Sequence, residues 1–496
     1  MKYILSLDQG TTSSRAVLLD EKGQIVATGQ EEFPQLFPKP GWVEHDPEAI
    51  WSSQWNSIEK ALEAADCGWD AVAAIGITNQ RETVVAWDAD SGEALGTAIV
   101  WQDRRTADFC ATLRDAGKES WIQERTGLLL DPYFSAGKMK WIRENRPEAA
   151  ALAEEGRLRF GTIDTWLVWK LSGGSCYVTD VSNASRTQLM DLRSCSWDAE
   201  LRELFGVPES ALPRIVDSSG ELAMTAAEVT GGREIRIGGI AGDQQAALFG
   251  QLCFQPGMVK STYGTGCFVL MNVGRGPAVS RNRLLSTVAW RIAGQVEYAL
   301  EGSVFVGGSA VQWLRDQLGV IKSASEVEAL ASQVEDADGV VVVPAFTGLG
   351  APYWDPHARG AIMGLTRGSS AAHIARAILD GIANQVGDVV EAMESDSGRE
   401  LKELRADGGA SANALLMQIQ ADVAGAEVSC PKILETTALG AGFLAGLAVG
   451  FWKSREELVA LVEADRSYQP ALGDEERRQR LAKWRKAVRR SLAWEE

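Results

Sequence analysis

Short apolar runs broken by polar turns open the chain, and the same rhythm returns past its midpoint. Residues 2–8, 14–20 and 24–30 read as an antiparallel meander, with Glu21-Lys22-Gly23 as a tight turn. The loop Phe37-Pro38-Lys39-Pro40-Gly41 follows, and Asp46-Pro47 opens a helix that Asp46 caps and Pro47 fits in its first turn. Ala71 to Thr78 is a buried strand ending at Asn79-Gln80-Arg81-Glu82-Thr83, and Val84 to Trp87 pairs beyond it. Apolar residues at helical spacing predict helices over 103–116, 118–125, 137–145, 147–155 and 163–171. A strand from Glu234 to Ile240 leads through Ala241-Gly242-Asp243 into a helix over 244–252.

After residue 253 the pattern restarts. Strands over 258–263, 267–273, 284–290 and 295–301 echo the opening meander. Helices over 305–318 and 325–333, a strand at 339–343 and a long helix at 371–394 come next. A strand at 402–406 ends in Asp407-Gly408-Gly409-Ala410-Ser411, and helices over 412–424, 436–450, 454–465 and 474–492 finish the chain. Strands and helices mix in both halves, which is the α/β class. At 496 residues the chain exceeds one core. The expected division is 1–252 and 253–496, and no low-complexity linker separates the halves, so a packed hinge is expected. No fixed-period repeat joins them; the halves are alike in pattern only.

Composition narrows the classes. Hydrophobic residues make up 45% and charged residues 23%, as in ordinary globular proteins. A net charge of −18 argues against nucleic acid or an anionic membrane as a partner. Seven scattered cysteines form no Cys-x-x-Cys pair, and with three histidines no zinc site is expected. Reduced thiols are the reading. The first residues lack a signal-peptide core, and Ala438 to Trp452 is too short to span a bilayer. A cytoplasmic protein without a transmembrane segment is expected.

Two Gly-Thr turns stand out: Gly10-Thr11-Thr12-Ser13 after Asp8, and Gly264-Thr265-Gly266 after Tyr263. Each lies between strand-like runs and aims backbone N–H groups and hydroxyls at one spot, a cradle for phosphate oxygens. One per half suggests two similar domains gripping one polyphosphate. No P-loop and no G-x-S-x-G elbow occurs. Gly440-Ala441-Gly442-Phe443-Leu444-Ala445 fits a loose dinucleotide pattern but lies within an apolar helix, where it reads as close packing. Asp8, Asp243 and Asp407 each follow an apolar strand, the position where open α/β sheets bind ligands. Asp8 suits Mg²⁺ held through water, or a turn bond to its own backbone. Asp243 suits a general base for a hydroxyl, or the N-cap of helix 244–252; the two are compatible. The Asp407 turn suits a nucleoside against bare backbone, or a plain strand–helix turn. Arg81-Glu82 sets a donor fork beside an acceptor, which matches a small polyol, or forms a surface ion pair. Trp101, Tyr133 and Phe268 can wall such a pocket or serve as core. Glu44-His45-Asp46 is explained by helix capping.

Together these residues resemble the FGGY carbohydrate kinases, on the actin-like (ribonuclease H-like) ATPase fold, with two similar domains around a cleft. Two signature stretches carry the likeness: Tyr133 to Ile142, and Gly360 to Leu365 running on through His373-Ile374 to Asp380. Leu7 to Arg15, Pro40 to Pro47, Asn79 to Thr83, Gly242 to Gly250 and Tyr263 to Phe268 are similar to the members that phosphorylate glycerol. That likeness implies ATP and Mg²⁺, with glycerol and ADP among the partners and a homodimer or homotetramer. It implies glycerol contacts at Arg81, Glu82, Trp101, Tyr133, Asp243, Gln244 and Phe268, with Asp243 as catalytic base. It implies nucleotide contacts at Thr11, Thr12, Ser13, Arg15, Thr265, Gly308, Gln312, Gly409 and Asn413, with Asp8 near Mg²⁺. The family's bacterial Gly-Gly-Thr-Arg loop, an inhibitory site for fructose 1,6-bisphosphate, is matched here by Gly231-Gly232-Arg233-Glu234, whose acid repels phosphate; Arg233 and Arg236 lie close by. The rival readings are a family kinase for another polyol or ketose, and a non-catalytic ATP switch of the actin and heat-shock type.

Overall fold

The computed structural model describes residues 1–462 and 464–495. Among these, thirteen strands form one sheet across both halves. In the first half they are β1 (Tyr3–Gln9), β2 (Ser13–Leu19), β3 (Ile25–Glu32), β4 (Val72–Asn79), β5 (Ser219–Met224) and β6 (Arg236–Gly242). In the second they are β7 (Met258–Tyr263), β8 (Cys267–Gly274), β9 (Leu285–Ile292), β10 (Gln295–Val304), β11 (Glu403–Asp407), β12 (Val428–Pro431) and β13 (Ala464–Tyr468). The order is β13-β12-β11-β7-β8-β10-β9-β5-β6-β4-β1-β2-β3.

The halves repeat one topology. In the first, β1 pairs antiparallel with β2 and β2 with β3, while β1, β4 and β6 run parallel. In the second, β7 pairs antiparallel with β8 and β8 with β10, while β7, β11 and β12 run parallel. The central parallel strands β4 and β6 are buried almost throughout, as strands covered on both faces are; the outer β3 alternates buried and open positions. The halves join where β5 meets β9 through the pair Ser219–Ile292.

Helices complete the join. Helix α1 (Pro47–Ala64) turns Ile50, Ile58, Ala61 and Leu62 inward at helical spacing and packs on β2 and β3. Helix α2 (Asp243–Gly250) follows β6, and the long α3 (Ala371–Ser397) backs β8 and β10. Helix α4 (Thr436–Ala448), from the second half, lies on β1, β4 and β6 of the first and against α2. The approach of α2 to α4 is set by glycine: a Cβ on Gly440 would stand 1.8 Å from the Ala246 carbonyl oxygen, and one on Gly250 would stand 2.0 Å from that of Thr436. The Gly440-to-Ala445 run is therefore a packing surface. One hydrophobic cluster mixes Ile4, Val17 and Phe249 with Leu270, Trp290 and Phe443, so the halves share core. The last helix, α5 (Asp474–Ser491), packs on α3.

Some expected elements are redrawn. The helix over 454–465 is Arg455–Leu461, and the chain then extends into β13, which covers the edge of β12; Glu463 lies outside the described residues. The helix over 305–318 starts at Gly308, because β10 runs on to Val304. The helix over 103–116 starts at Ala107: Asp103 instead braces a turn, accepting from Val43 N at 2.7 Å and Arg105 N at 2.8 Å. Strands β5 and β12 are additions. No helix among the described residues is long and apolar enough to cross a membrane.

Candidate active site

Strand register delivers the candidate groups to one edge. Gln9 lies beside Asn79, and Asn79 beside Gly242, at the carboxyl ends of β1, β4 and β6. The turn at Gly10, the turn at Gln80–Thr83 and Asp243 therefore leave the sheet at the same level. Gln80 N donates to Gln9 O at 2.7 Å, and Trp101 Nε1 to Thr11 Oγ1 at 3.0 Å. In the second half Thr262 lies beside Asp407, and Gly308 N donates to Gly264 O at 2.8 Å. Gly408, at φ 84°, sits where a Cβ would be 2.6 Å from Tyr263 O, so only glycine takes that turn.

Beneath this edge lies a buried charge cluster. The Arg81 guanidinium forks onto Glu301, Nη1 to Oε2 at 2.6 Å and Nη2 to Oε1 at 2.9 Å. Its Nε reaches Asp243 Oδ1 at 3.0 Å, and Nη1 also donates to Gln245 Oε1 at 3.2 Å. Arg186 Nε meets Glu82 Oε1 at 2.6 Å, and its Nη2 meets Glu301 Oε1 at 3.2 Å. Arg81, Glu82, Arg186 and Glu301 are all at most 3% exposed, so Arg81-Glu82 is no surface ion pair. Nor is it mainly a pair with itself: Arg81 Nε is 4.0 Å from Glu82 Oε1, and each residue has a closer partner far along the chain. Burial pushes the Glu301 carboxyl up, but Arg186 and Arg81 pull it down further, to about 2. Burial dominates at Glu82, whose carboxyl is raised. Glu82 holds φ at +60°, a left-handed conformation costing a non-glycine residue about 1–2 kcal/mol. Glu301 and Arg186 were not singled out from the sequence. Their signal was a lone charge in an apolar run, Tyr298-Ala299-Leu300-Glu301, and an arginine within Asn183-Ala184-Ser185-Arg186-Thr187.

Asp243 is the exposed member of the cluster, its side chain 32% open. It is not the N-cap: Gly242 takes that position and Asp243 is the first helical residue of α2. Its Oδ1 accepts from Gln244 N at 2.7 Å as well as from Arg81. Gln244 Oε1 in turn accepts from the buried Lys260 Nζ, which also donates to Thr262 Oγ1 at 3.0 Å. Asp8, near the carboxyl end of β1, lies close by. Burial, with Asp243 and Glu435 nearby, outweighs Arg15 and pushes its carboxyl up to about 6.

The other candidates are spread over both halves. Trp101 and Tyr133 pack edge to face with centroids 5.5 Å apart. The turn that carries Tyr133 is clamped by buried Lys138, whose Nζ donates to the carbonyls of Pro132 (2.9 Å), Tyr133 (2.5 Å) and Phe134 (3.1 Å). Phe268, half-buried on β8, pairs with Thr262 and Ser303. Thr12, Thr265, Gln312 and Gly409 are exposed, while Thr11, Ser13, Arg15, Gly308 and Asn413 are half-buried. Asn413 Oδ1 caps the helix Ala414–Ala424 by accepting from Leu416 N at 2.8 Å. Asp407 turns inward, 1% exposed, and its Oδ2 accepts from Gln251 Nε2 at 2.9 Å and from Thr436 Oγ1. It ties the second half to α2 and α4, so the plain strand–helix turn accounts for its carboxylate. Asp46 caps α1 through Glu48 N at 3.0 Å, and His45 bonds Gln35 at 2.6 Å, so the Glu44-His45-Asp46 run is structural. Arg236 pairs with Glu221 at 2.8 Å and lines one surface cavity with Arg233 and Glu234 of the exposed Gly231–Glu234 loop.

Comparison with known proteins matches this geometry to a family. The model of the FGGY family of carbohydrate kinases, N-terminal domain, matches residues 3–250, and that of the C-terminal domain matches 259–449. A glycerol kinase of Aromatoleum aromaticum is 56% identical over 494 residues, 100% of this chain and 99% of that protein. Glycerol kinase 2 of Thermotoga maritima is 55% identical over 495 residues, 100% of each. The crystal structure of Plasmodium falciparum glycerol kinase with ADP superposes at TM-score 0.95 with 37% identity, covering 99% of this chain and 98% of that one. Gluconate kinase from Lactobacillus acidophilus, 23% identical, shares the fold at TM-score 0.88 over 99% and 98%. Two family models in tandem and relatives of equal length agree with the repeated topology: the chain belongs to the FGGY family of carbohydrate kinases.

Proposed function

We propose that the chain is a glycerol kinase, passing the γ-phosphoryl group of ATP to a primary hydroxyl of glycerol to give sn-glycerol 3-phosphate and ADP. The observation that carries this reading is the carboxylate of Asp243: Arg81 and Gln244 N both hold Oδ1, which leaves Oδ2 of this side chain, 32% open, for a hydroxyl. Phosphoryl transfer runs through a loose transition state, so catalysis is mostly positioning and charge neutralisation. Thr11, Thr12, Ser13 and Arg15 on one side, and Thr265 with the Gly308 helix start on the other, hold the phosphates. Gln312, Gly409 and Asn413 receive the nucleoside. Arg81, Glu82, Trp101, Tyr133, Gln244 and Phe268 hold glycerol, while Asp243 orients the attacking hydroxyl and takes its proton. Mg²⁺ would fit beside Asp8, whose carboxyl is pushed up by burial and by neighbouring acids that a cation would offset; held there through water, it would supply neutralisation of phosphate charge. A boundary at 252/253, a cytoplasmic home and a homodimer or homotetramer belong to the same reading.

The test is ADP release from ATP–Mg²⁺ with glycerol, dihydroxyacetone, xylulose, ribulose or erythritol. Strong glycerol-dependent release supports the reading. Preference for another substrate would move the assignment within the family, and slow hydrolysis indifferent to every polyol would leave an ATP switch.

A further inference from the structure

One buried carboxylate lies behind both the Asp243 turn and the Arg81 turn. Asp180 is fully buried and precedes the four-residue helix Val181–Ala184. Five hydrogen bonds converge on it. Oδ1 accepts from Ser182 Oγ (2.9 Å), Asn183 N (2.9 Å) and Asn183 Nδ2 (3.0 Å); Oδ2 accepts from Ser182 N (2.9 Å) and Ser218 Oγ (2.7 Å). Capping of the short helix accounts for the two backbone bonds alone.

The three side-chain bonds each lead to the site. Because the Ser182 hydroxyl donates to Asp180, its lone pair faces outward and accepts from Gly242 N at 2.9 Å, directly before Asp243. Asn183 gives one amide hydrogen to Asp180 and the other to Asn79 Oδ1 at 3.0 Å, and accepts from Asn79 Nδ2 at 3.0 Å. Asn79 ends β4, two residues before Arg81. Ser218 reaches β6 by accepting from Ile240 N at 3.0 Å through its carbonyl oxygen. An acceptor-only carboxylate thus fixes which way Ser182 and Asn183 point.

We propose that Asp180 is a positioning residue which, through Ser182 and Asn183, sets the Asp243 turn and the Arg81-Glu82 turn at their working separation. This rests on the kinase reading above. The two arms should have separate kinetic signatures. Ser182→Ala removes the partner of Gly242 N and loosens the base, so kcat should fall about tenfold to a hundredfold with KM for ATP little changed. Asn183→Ala frees the polyol turn, so KM for glycerol should rise about fivefold or more with a smaller loss in kcat. Asp180→Asn should show both effects; should it fail to fold, the single-arm variants still decide. Rates are taken per active site, counted by binding of a fluorescent ATP analogue, so that a loss of folded protein alone moves nothing. Wild-type kcat and KM in both Ser182→Ala and Asn183→Ala, whatever their melting temperatures, would overturn the proposal. A wild-type protein that turns over another polyol moves the same split to that substrate. One that turns over none removes the kinase reading, and this proposal with it.

Discussion

Two donors grip one oxygen of Asp243, on a side chain that is 32% open. Asp243→Asn keeps an oxygen for both donors but puts an amide where the hydroxyl's proton must go. Transfer should fall by about 10²–10⁴ while ATP binding persists, read from glycerol-dependent ADP release and nucleotide titration; near-normal turnover would remove Asp243 as the base. Glu301 is a different case. It touches Arg81 and Arg186 below the site, and Glu301→Gln leaves two buried guanidinium groups short of a charge. Breaking a buried pair costs about 3–5 kcal/mol, so the variant should unfold at clearly lower denaturant and bind glycerol more weakly. An unchanged unfolding midpoint would show the cluster to be dispensable. These two residues mark what the sequence could reveal. Asp243 was legible because it follows a strand within a string of distinctive residues. Glu301 was not, because its partners lie 220 and 115 residues away and only folding brings them together.

At the scale of elements, periodicity located the helices well: 163–171 is reproduced at both ends, and 371–394 runs only three residues longer. It failed where pairing, not pattern, makes the strand. The segment Ser219–Met224 reads Ser-Gly-Glu-Leu-Ala-Met, without clean alternation, and is a strand because β6 and β9 offer it edges. Ala464–Tyr468 is mostly polar and is held extended by β12. The glycines between α2 and α4 were legible as packing, though not what they pack against. Gly440→Ala puts a methyl group on the Ala246 carbonyl and must push the helices apart. Overpacking of this kind costs about 1–3 kcal/mol, occasionally more, so melting should drop by several degrees. A melting temperature equal to wild type would show that the helix contact yields freely.

For the whole molecule, the balance of shifted acids sets the response to pH. Burial first, with neighbouring acids adding to it, pushes the carboxyls of Asp8, Asp164 and Asp388 up to about 6. Each binds a proton on folding between the ordinary carboxylate range and that value, so stability rises as pH falls through about 6 and is lost as pH climbs past it. Glu301, held near 2, acts in the opposite sense but only at lower pH, while buried His45, pushed down to about 4, offsets part of the gain as pH falls below the ordinary histidine range. The ligand-free protein should therefore melt higher at about pH 5.5 than at about pH 8, and Asp388→Asn should reduce the difference by roughly a third. The reverse order would refute this balance. The two-half plan was legible from the restarted strand rhythm, whereas the continuity of the sheet was not, since it depends on the single Ser219–Ile292 pairing. That pairing, the α2–α4 contact and the Arg81–Glu301 fork all tie one half to the other. The Gly-Thr turns lie one on each half: Gly264 and Thr265 are exposed, the Gly10–Ser13 turn is half-buried apart from exposed Thr12, and the partly exposed pair of Arg15 with Glu435, at 3.9 Å, reaches the second half beside it. Motion about these ties would bring the two turns together while leaving the Arg81–Glu301 cluster assembled. Water is itself a hydroxyl nucleophile, so a kinase gains from closing only when both substrates are present. The radius of gyration from solution scattering should shrink with glycerol and a non-hydrolysable ATP analogue together and change little with glycerol alone. No compaction with both bound would mean that the turns already stand at their working distance and that water is excluded without closure.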